Sequence, residues 1–322
     1  MLYIIAISFS YESHPPMDLK QLRYFLAIVD CGSITGAAQH LNIAQPALSI
    51  HVKNMEDHLG TPLLLRQRSG VQPTEAGLLL AQRARALLED FARTQDDIRT
   101  LDGDPMGVVR IGLPGTISNI VALPLIAAAR ARFPRIQLTI VEAMSGFIAD
   151  WLTEGRVDLA VLYDGSPNRD TSARCLLKEE LVVLWPPGRK VAPEISLTDL
   201  AEVPMVLPSS AHGLRQGIDT ALRQVGISPR VALEIDSYFN IKRLVTSGYG
   251  ASILPRHAVE EEAAAGRMEI SRLAAPGFWR SAYLVHPINR PATRAIEALR
   301  PLTEEVIAEL LATGAWAGAR PV

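Results

Sequence analysis

Three polar side chains recur every four residues near the N-terminus, at Gln45, Ser49 and Lys53. A helix places such residues on one face, because positions i and i+4 are neighbours on its surface. Glutamine can form paired hydrogen bonds with adenine, the serine hydroxyl is adaptable, and a lysine can neutralise a phosphate. The spacing therefore suits reading of the DNA major groove, and a solvated helix face with no such role explains it equally well.

The segments around these residues predict two short helices joined by a tight turn. Residues 34–41 form the first helix, with Ser33 placed to cap it, and residues 45–59 form the second, with Pro46 in its first turn. The second helix also has an apolar stripe at helical spacing, made of Leu48, Val52, Met55 and Leu59. Two such helices form a helix-turn-helix motif, whose second helix fits the major groove.

A β hairpin is predicted next, with basic residues near its tip. Residues 63–73 form this two-stranded wing, which carries Arg66 and Arg68. The net charge of −2 does not indicate nucleic acid, and residues 17–75 balance five Lys and Arg against five Asp and Glu. The basic residues nevertheless concentrate on the second helix and the wing, where a duplex would need them.

A long amphipathic helix is predicted from Thr74 to about Leu101. Its apolar positions follow nearly heptad spacing and are Leu80, Ala84, Leu87, Leu88, Phe91, Ile98 and Leu101. A helix of about 28 residues is about 42 Å long, and no neighbouring segment of the sequence can cover its whole stripe. We therefore expect a second copy of the chain to cover it. The alternative is that the helix packs on its own domain.

Strands and helices alternate after a Gly- and Pro-rich break at residues 103–107. This order predicts βαβ units and parallel sheets, whose ligands lie beyond the carboxyl ends of the strands. Hydroxyl groups and N–H groups at helix starts suit small anions such as carboxylates. The candidate ligand-binding residues at these strand ends are Thr116, Ser145, Gly146, Tyr163, Ser209, Ser210 and Ser237. The alternative is that Thr116, Ser145 and Ser237 only cap helices, the first of which we expect to start near Ser118.

Composition and motifs exclude several classes of protein. Hydrophobic residues make up 48% of the chain and charged residues 20%, and no apolar run approaches the roughly 20 residues of a membrane helix. Two cysteines, Cys31 and Cys175, cannot form a disulfide framework or a four-ligand zinc site. Because the sequence has no Gly-x-Ser-x-Gly elbow, Cys-x-x-Cys or P-loop, we expect no enzyme activity, cofactor or metal.

The location and the start of the chain are also predicted from the sequence. The low cysteine content is typical of a reducing compartment, and we expect the protein to be cytoplasmic. Residues 1–16 have an apolar stretch without the basic start or the cleavage site of a signal peptide. We expect them to be an upstream extension, with Met17 as the physiological start.

Four ordered motifs resemble the N-terminal domain of LysR-type transcriptional regulators. They are residues 33–38 (SITGAA), 41–49 (LNIAQPALS), 63–66 (LLLR) and 73–77 (PTEAG). Residues 141–146 and 176–181 are similar to the nitrogen assimilation control branch of that family. The resemblance implies an α+β N-terminal winged helix-turn-helix, a long dimerisation helix and an α/β two-lobed effector domain like that of periplasmic binding proteins.

The resemblance also implies domain limits. The DNA-binding domain would be 17–74, the linker and dimerisation helix 75–104, and the effector domain 107–310. Two crossing strands would divide the effector domain into lobe I, at 107–179 and 268–310, and lobe II, at 180–267.

Residue roles follow from the match to the family motif. Gln45, Pro46 and Ser49 would approach base edges. Ser33, Lys53 and Thr74 would contact the DNA backbone, and Arg66 and Arg68 would contact phosphate or the minor groove. The chain departs from the family at Ala44, where a capping Ser or Thr is usual, and at Ile50 and His51, which put the base preference in doubt.

The function implied by the resemblance is sequence-specific transcriptional regulation. The implied partners are promoter DNA with an inverted repeat, a small-molecule effector bound between the lobes, a second copy of the chain in a homodimer or homotetramer, and RNA polymerase. The strand-end groups indicate that the effector is an anionic metabolite. The alternative is a two-lobed small-molecule-binding protein without specific DNA readout.

Overall fold

The computed structural model describes residues 17–67, 70–99, 103–163 and 169–322. The expected upstream extension at 1–16, the wing residue Arg68 and the end of the long helix at Leu101 therefore lie outside the described residues. The chain divides into two compact units, of which unit 1 ends at Gln95 and unit 2 begins at Asp96.

Unit 1 has the predicted helices and wing. Its elements are α1 (Leu19–Cys31), α2 (Ile34–His40), α3 (Gln45–Leu59), β1 (Leu64–Gln67), β2 (Gly70–Pro73) and α4 (Glu75–Arg99). β1 and β2 are antiparallel, so the hairpin prediction is confirmed. The Ser33 hydroxyl accepts a hydrogen bond from the N–H of Gly36, which confirms the predicted cap of α2.

The apolar side chains of unit 1 hold α3 and α4 against α1. Leu48, Val52 and Met55 are buried, whereas Leu59 is 41% exposed, so the predicted stripe on α3 ends one turn early. Leu59 was wrongly predicted to be buried: it lies on the same side of α3 as the stripe, but it is the last residue before Gly60, beyond the apolar clusters that cover Leu48, Val52 and Met55. At the start of α4, a Cβ on Gly77 would lie 2.1 Å from the carbonyl oxygen of Leu63, so only glycine allows this close approach.

The apolar residues of α4 divide into two sets. Ala81 and Ala84 are buried, and Leu80 and Leu88 pack partly against the same cluster in unit 1. A second set is exposed and consists of Leu78, Leu79, Leu87, Phe91 and Ile98. Packing on its own domain therefore accounts for only part of the predicted stripe.

Unit 2 alternates strands and helices, as predicted. Its first elements are β3 (Gly107–Leu113), α5 (Gly115–Arg132), β4 (Ile136–Glu142), α6 (Ser145–Glu154), β5 (Leu159–Tyr163), β6 (Thr171–Trp185), β7 (Glu194–Ile195), β8 (Pro204–Leu207) and α7 (Gly213–Gln224). The others are β9 (Arg230–Glu234), α8 (Tyr238–Thr246), β10 (Ser252–Pro255), α9 (Glu260–Ala264), β11 (Glu269–Leu273), β12 (Trp279–Pro287), α10 (Arg294–Ala312) and β13 (Ala319–Pro321). α5 begins at Gly115, three residues before the expected Ser118.

The main sheet is mixed rather than parallel throughout. Its strand order is β4-β3-β5-β12-β6-β11-β7, with β10 and β13 also paired to β6. β3 is parallel to β4 and β5, and β8 is parallel to β9, as expected from βαβ units. β12, however, is antiparallel to both β5 and β6, and the sequence analysis did not predict it as a strand. This is the main correction to the predicted topology.

Two apolar clusters divide unit 2 into two lobes joined by β6. The first cluster lies among β3, α5, β5, β12 and α10, and we call these elements and β4 and α6 lobe I. The second lies among β8, β10, α7 and α8, and we call these elements and β9, β11, α9 and the 3-10 turn Arg256–Ala258 lobe II. β11, which the predicted limits place in lobe I, is grouped here with lobe II because Met268 and Leu273 pack in the second cluster. The first part of β6 pairs with β12, and its last residues pair with β10 and β11.

Candidate functional site

α3 presents its polar residues on a face beside its buried stripe, about a quarter of the way around the helix. Gln45, Pro46 and Lys53 are exposed and Ser49 is half-buried. The side-chain amide of Gln45 donates a hydrogen bond to the Ser49 hydroxyl at 2.8 Å. Ala44 is the N-cap residue of α3 and has no polar side-chain atom. Because it replaces the Ser or Thr that is usual in the family, the first N–H groups of the helix have no side-chain acceptor at this position.

The structure brings the α3 face next to the wing. A shallow recess of about 350 Å³ is lined by Ser49 and Lys53 of α3 and by Arg66 of β1, among others. The carboxylate of Glu56 ties the two elements together, because it accepts hydrogen bonds from the N–H groups of Leu63 and Leu64. A helix face, a lysine and a wing arginine that share one surface suit a DNA duplex, with polar groups for base edges and cations for phosphates.

Two predicted backbone-contacting residues also have a structural role. The Thr74 hydroxyl accepts a hydrogen bond from the N–H of Gly77 and donates one to the carbonyl of Pro62. Ser33 caps α2 in the same way. Both are half-buried, at the start of a helix, where N–H groups and the positive end of the helix dipole suit a phosphate.

A cleft of about 1480 Å³ lies between the two lobes of unit 2. Of the seven predicted ligand-binding residues, Ser145, Gly146, Tyr163 and Ser237 line it. Thr116, Ser209 and Ser210 do not. Thr116 is buried behind the wall, 3.0 Å from the Tyr163 hydroxyl, and the Ser209 hydroxyl donates a hydrogen bond to Asp236.

Four helices begin at the wall of this cleft. α8 is capped by the Ser237 hydroxyl and α7 by the Nδ1 atom of His212, which accepts the N–H of Leu214. α5 and α6 follow Pro114 and Met144, and no described side chain caps either helix. Capping therefore explains Ser237 but not Thr116 or Ser145. N–H groups at the starts of α5 and α6 are of the kind that suits an anion.

A buried ion pair between β6 and β12 was not predicted from the sequence. Arg280 of β12 lines the cleft, its Nε atom donates to Oε1 of Glu179 at 2.5 Å, and its guanidinium lies 3.4 Å from the ring centre of Tyr163. Burial would raise the pKa of Glu179, but Arg280 and a contact with His257 lower this pKa to about 2. The pKa of Tyr163 is raised by burial, so its hydroxyl stays neutral at pH 7.

The pair could not be found because it depends on one strand register. Glu179 faces Arg280 across the β6–β12 pairing, and β12 was not predicted as a strand. In the structure, half-buried and buried positions alternate over residues 279–284, but one of the buried positions is Arg280, so the sequence lacks the apolar alternation that would have predicted the strand.

The described residues contain neither a metal-binding cluster nor a membrane-spanning helix. In the part of the chain that the structure describes, no group of three or more His, Cys, Asp or Glu side chains could hold a metal ion. Among the same residues, no helix is both long enough and apolar enough to cross a bilayer.

Two family models match the chain. The model described as "Bacterial regulatory helix-turn-helix protein, lysR family" matches residues 19–78, and the one described as "LysR substrate binding domain" matches residues 102–308. The nitrogen assimilation regulatory protein nac of Escherichia coli K12 is 33% identical over 295 residues, which cover 90% of this chain and 95% of that protein. The protein of the same name from Klebsiella aerogenes is 32% identical over 298 residues, 92% of this chain and 95% of that protein.

Solved structures share the fold. Full-length OxyR C199D from Pseudomonas aeruginosa has a TM-score of 0.72 at 24% identity, covering 96% of this chain and 98% of that one. Full-length CbnR, solved in complex with its target DNA, has a TM-score of 0.68 at 20% identity, covering 91% of this chain and 99% of that one. At these identities the likeness extends to the fold alone.

Proposed function

The chain belongs to the LysR family of bacterial transcriptional regulators, and on this premise we propose how its residues carry out regulation. The predicted fold class and family are confirmed, with a winged helix-turn-helix, a long helix and a two-lobed effector domain. It is a DNA-binding regulator with an effector-binding domain, and its relatives are transcriptional regulators. We propose that it has no enzyme activity. We keep 17–74, 75–104 and 107–310 as its working domain limits.

α3 is proposed as the helix that reads DNA. The observation that carries this proposal is its division into a buried stripe and an outward face with Gln45, Ser49 and Lys53. In this role, Gln45, Pro46 and Ser49 approach base edges in the major groove. The proposed contacts to phosphate are Ser33, Lys53 and Thr74, with Arg66 and Arg68 reaching phosphate or the minor groove from the wing.

A dimer is proposed to form along α4. Leu87, Phe91 and Ile98 are exposed, and apolar residues at this spacing favour pairing with a second helix. Only part of the apolar surface of α4, at Leu80, Ala81, Ala84 and Leu88, packs in unit 1. Two paired recognition helices would read an inverted repeat, as one dimer or as two dimers in a tetramer.

The cleft of unit 2 is the proposed effector site, and the effector is proposed to be a small anionic metabolite. The starts of α5 and α6 support the anionic character because their N–H groups have no described side-chain cap. Ser145, Gly146, Tyr163 and Ser237 would contact the effector directly. Thr116 would act from behind the cleft wall through Tyr163, and Ser209 would act through Asp236. Ser210, which is exposed in the turn before α7, would reach the effector from the rim of the cleft.

Regulation is proposed to follow from two states of the effector domain. An effector that binds the closed lobes more tightly than the open lobes shifts the population between them. The shift would move the α4 helices, change the spacing of the DNA-binding dimers, and so alter promoter bending and access of RNA polymerase. We place this activity in the cytoplasm, where bacterial DNA is found.

Capture of genomic DNA tests the proposed function. The purified full-length chain is mixed with sheared DNA from its own cell, and the retained fragments are sequenced. A regulator retains fragments that cluster upstream of genes and share one inverted repeat. Even coverage of the genome at moderate salt would contradict regulation and leave a two-lobed small-molecule-binding protein without specific DNA readout.

A further inference from the structure

An isoleucine lies on the outermost side of α3. Ile50 is 58% exposed and belongs to neither of the two apolar clusters of unit 1. Successive residues of a helix lie about 100° apart, which places Ile50 roughly 165° around α3 from the centre of the buried stripe. Pro46, one turn earlier, lies close to the same outward line and is also exposed. The helix therefore turns an apolar strip away from its own domain.

The neighbours of Ile50 are residues proposed to bind DNA. Ile50 lines the recess between α3 and the wing together with Ser49, Lys53 and Arg66. A single exposed isoleucine is common on protein surfaces, but this one is set among a proposed base-reading hydroxyl and two proposed phosphate contacts, so it faces the duplex when they do. Asp57, two turns further along the outward side, is exposed and would repel phosphates. The duplex is therefore expected against the first turns of α3, where Ile50 lies.

Only one group in the major groove suits an isoleucine side chain. Thymine presents its C5-methyl group there, whereas the edges of the other three bases present hydrogen-bond donors and acceptors without a methyl group. An apolar side chain packed on such polar groups removes their water and returns no hydrogen bond, which is unfavourable. Packed on a methyl group, the same side chain buries apolar surface on both partners.

We propose that Ile50 contacts the C5-methyl group of a thymine in each half-site and so selects the base at that position. The inference rests on the proposed reading of DNA by α3 and adds a residue to those that select bases. It is separable from the role of Gln45, which reads a base through hydrogen bonds. Replacing thymine by uracil removes the methyl group and leaves every hydrogen-bonding group of the base pair in place.

Uracil substitution tests the contact by the change of one methyl group. The inverted repeat shared by the captured genomic fragments is synthesised with deoxyuridine in place of thymidine, one symmetric pair of positions at a time. Binding of the full-length chain is measured by fluorescence anisotropy at fixed salt. We expect one symmetric pair at which uracil weakens binding by the wild type about fourfold for each methyl group. Ile50→Ala should bind the thymine and uracil duplexes equally at that pair.

A matched control separates this contact from a general effect of removing an exposed isoleucine. Ile288 is 59% exposed and lies in unit 2, so Ile288→Ala should keep the full difference between thymine and uracil. Selection from random duplex DNA gives a second readout. Ile50→Ala should recover the same inverted repeat with the preference for thymine lost at this pair and the other positions kept.

The outcomes separate this inference from the proposed function. If the wild type binds the repeat but uracil weakens binding at no position, Ile50 does not read thymine, and the reading of DNA by α3 stands. The same conclusion follows if Ile50→Ala loses as much affinity on the uracil duplex as the wild type does. If the genomic capture yields no shared repeat, the proposed sequence-specific regulation fails, and this inference fails with it.

Discussion

The side-chain amide of Gln45 donates a hydrogen bond to the hydroxyl of Ser49, one turn further along α3, at 2.8 Å. This bond uses one of the two N–H groups of the amide, and adenine recognition needs the carbonyl oxygen and the other N–H. The two residues proposed to read bases therefore hold each other in place before DNA arrives. Less side-chain freedom is then lost on binding.

Gln45→Ala should reduce discrimination between sequences more than it reduces binding itself. Loss of one paired contact to a base costs about 1–3 kcal/mol at the preferred site and little at other sites. Competition between the operator and unrelated DNA at fixed salt measures the difference. Gln82→Ala, at an exposed glutamine of α4, is the control. If Gln45→Ala lowers the affinity equally for every DNA sequence, Gln45 does not read bases.

Lys53→Ala should weaken binding to all sequences by a similar factor. A lysine that neutralises a phosphate releases a counterion, so its loss reduces the salt slope of log affinity by about 1. The slope is measured by fluorescence anisotropy over a range of salt concentrations. Lys190→Ala, at an exposed position in unit 2, should leave the slope unchanged. A slope that Lys53→Ala also leaves unchanged would show that Lys53 does not contact phosphate.

Phe91→Asp should weaken self-association of the chain. Phe91 is 41% exposed in one chain, and a charge buried in a helix pair is costly. We expect at least a tenfold rise, roughly, in the dimer dissociation constant by analytical ultracentrifugation. Gln82→Asp adds the same charge on the opposite face of α4 and is the control. Unchanged association in the Phe91 variant would place the dimer contact elsewhere.

Ala44→Ser should stabilise unit 1. Ala44 has the extended backbone of a helix N-cap but no side-chain oxygen, and a serine there can accept the N–H of Ala47. The expected gain is about 1 kcal/mol in the free energy of unfolding, measured by urea titration. Ala47→Ser places serine inside the first turn and should give no gain. Equal effects of the two changes would mean that the start of α3 needs no cap.

Glu179→Gln should flatten the loss of stability in acid. Because the pKa of Glu179 is lowered from 4.5 to about 2, its ionised form stabilises the fold fully above pH 4.5 and this contribution is lost as the pH falls towards 2. The contribution is about 3 kcal/mol. Melting temperatures from pH 7 to pH 3 should therefore fall less steeply in Glu179→Gln than in the wild type.

Glu305→Gln is the control for the melting temperatures measured in acid. Its carboxylate forms an ion pair with Arg132 that is more than half exposed, and such pairs contribute little to stability. Its melting temperatures should follow those of the wild type. If the melting temperatures of the wild type and of Glu179→Gln fall equally steeply from pH 7 to pH 3, the buried ion pair is contradicted.

Local sequence patterns were sufficient to predict the helices and the wing of unit 1. The Ser33 cap, the α3 stripe through Met55 and the wing depend on residues close in sequence, where helical spacing and cap chemistry act directly. Gly77 gives a structural reason for the glycine in the 73–77 motif, because the absence of a Cβ atom allows α4 to approach the carbonyl of Leu63 closely.

The cleft was only partly predictable, because part of it depends on contacts between residues that are far apart in the sequence. Ser145, Gly146, Tyr163 and Ser237 follow strands or begin helices, so the topology placed them correctly at the wall. Arg280 meets Glu179 across 101 residues of sequence, through a register that no local pattern specifies. Thr116 was predicted from the same strand-end rule, but α5 begins one residue before it, and its side chain is buried.

Selection of binding sites from random duplex DNA tests the central claim most directly. The full-length chain is incubated with the pool at moderate salt, and bound duplexes are amplified, reselected and sequenced. The account predicts enrichment of one inverted repeat with an AT-rich half-site. A pool that stays random after several rounds, with and without a mixture of small carboxylates, would contradict sequence-specific reading by α3.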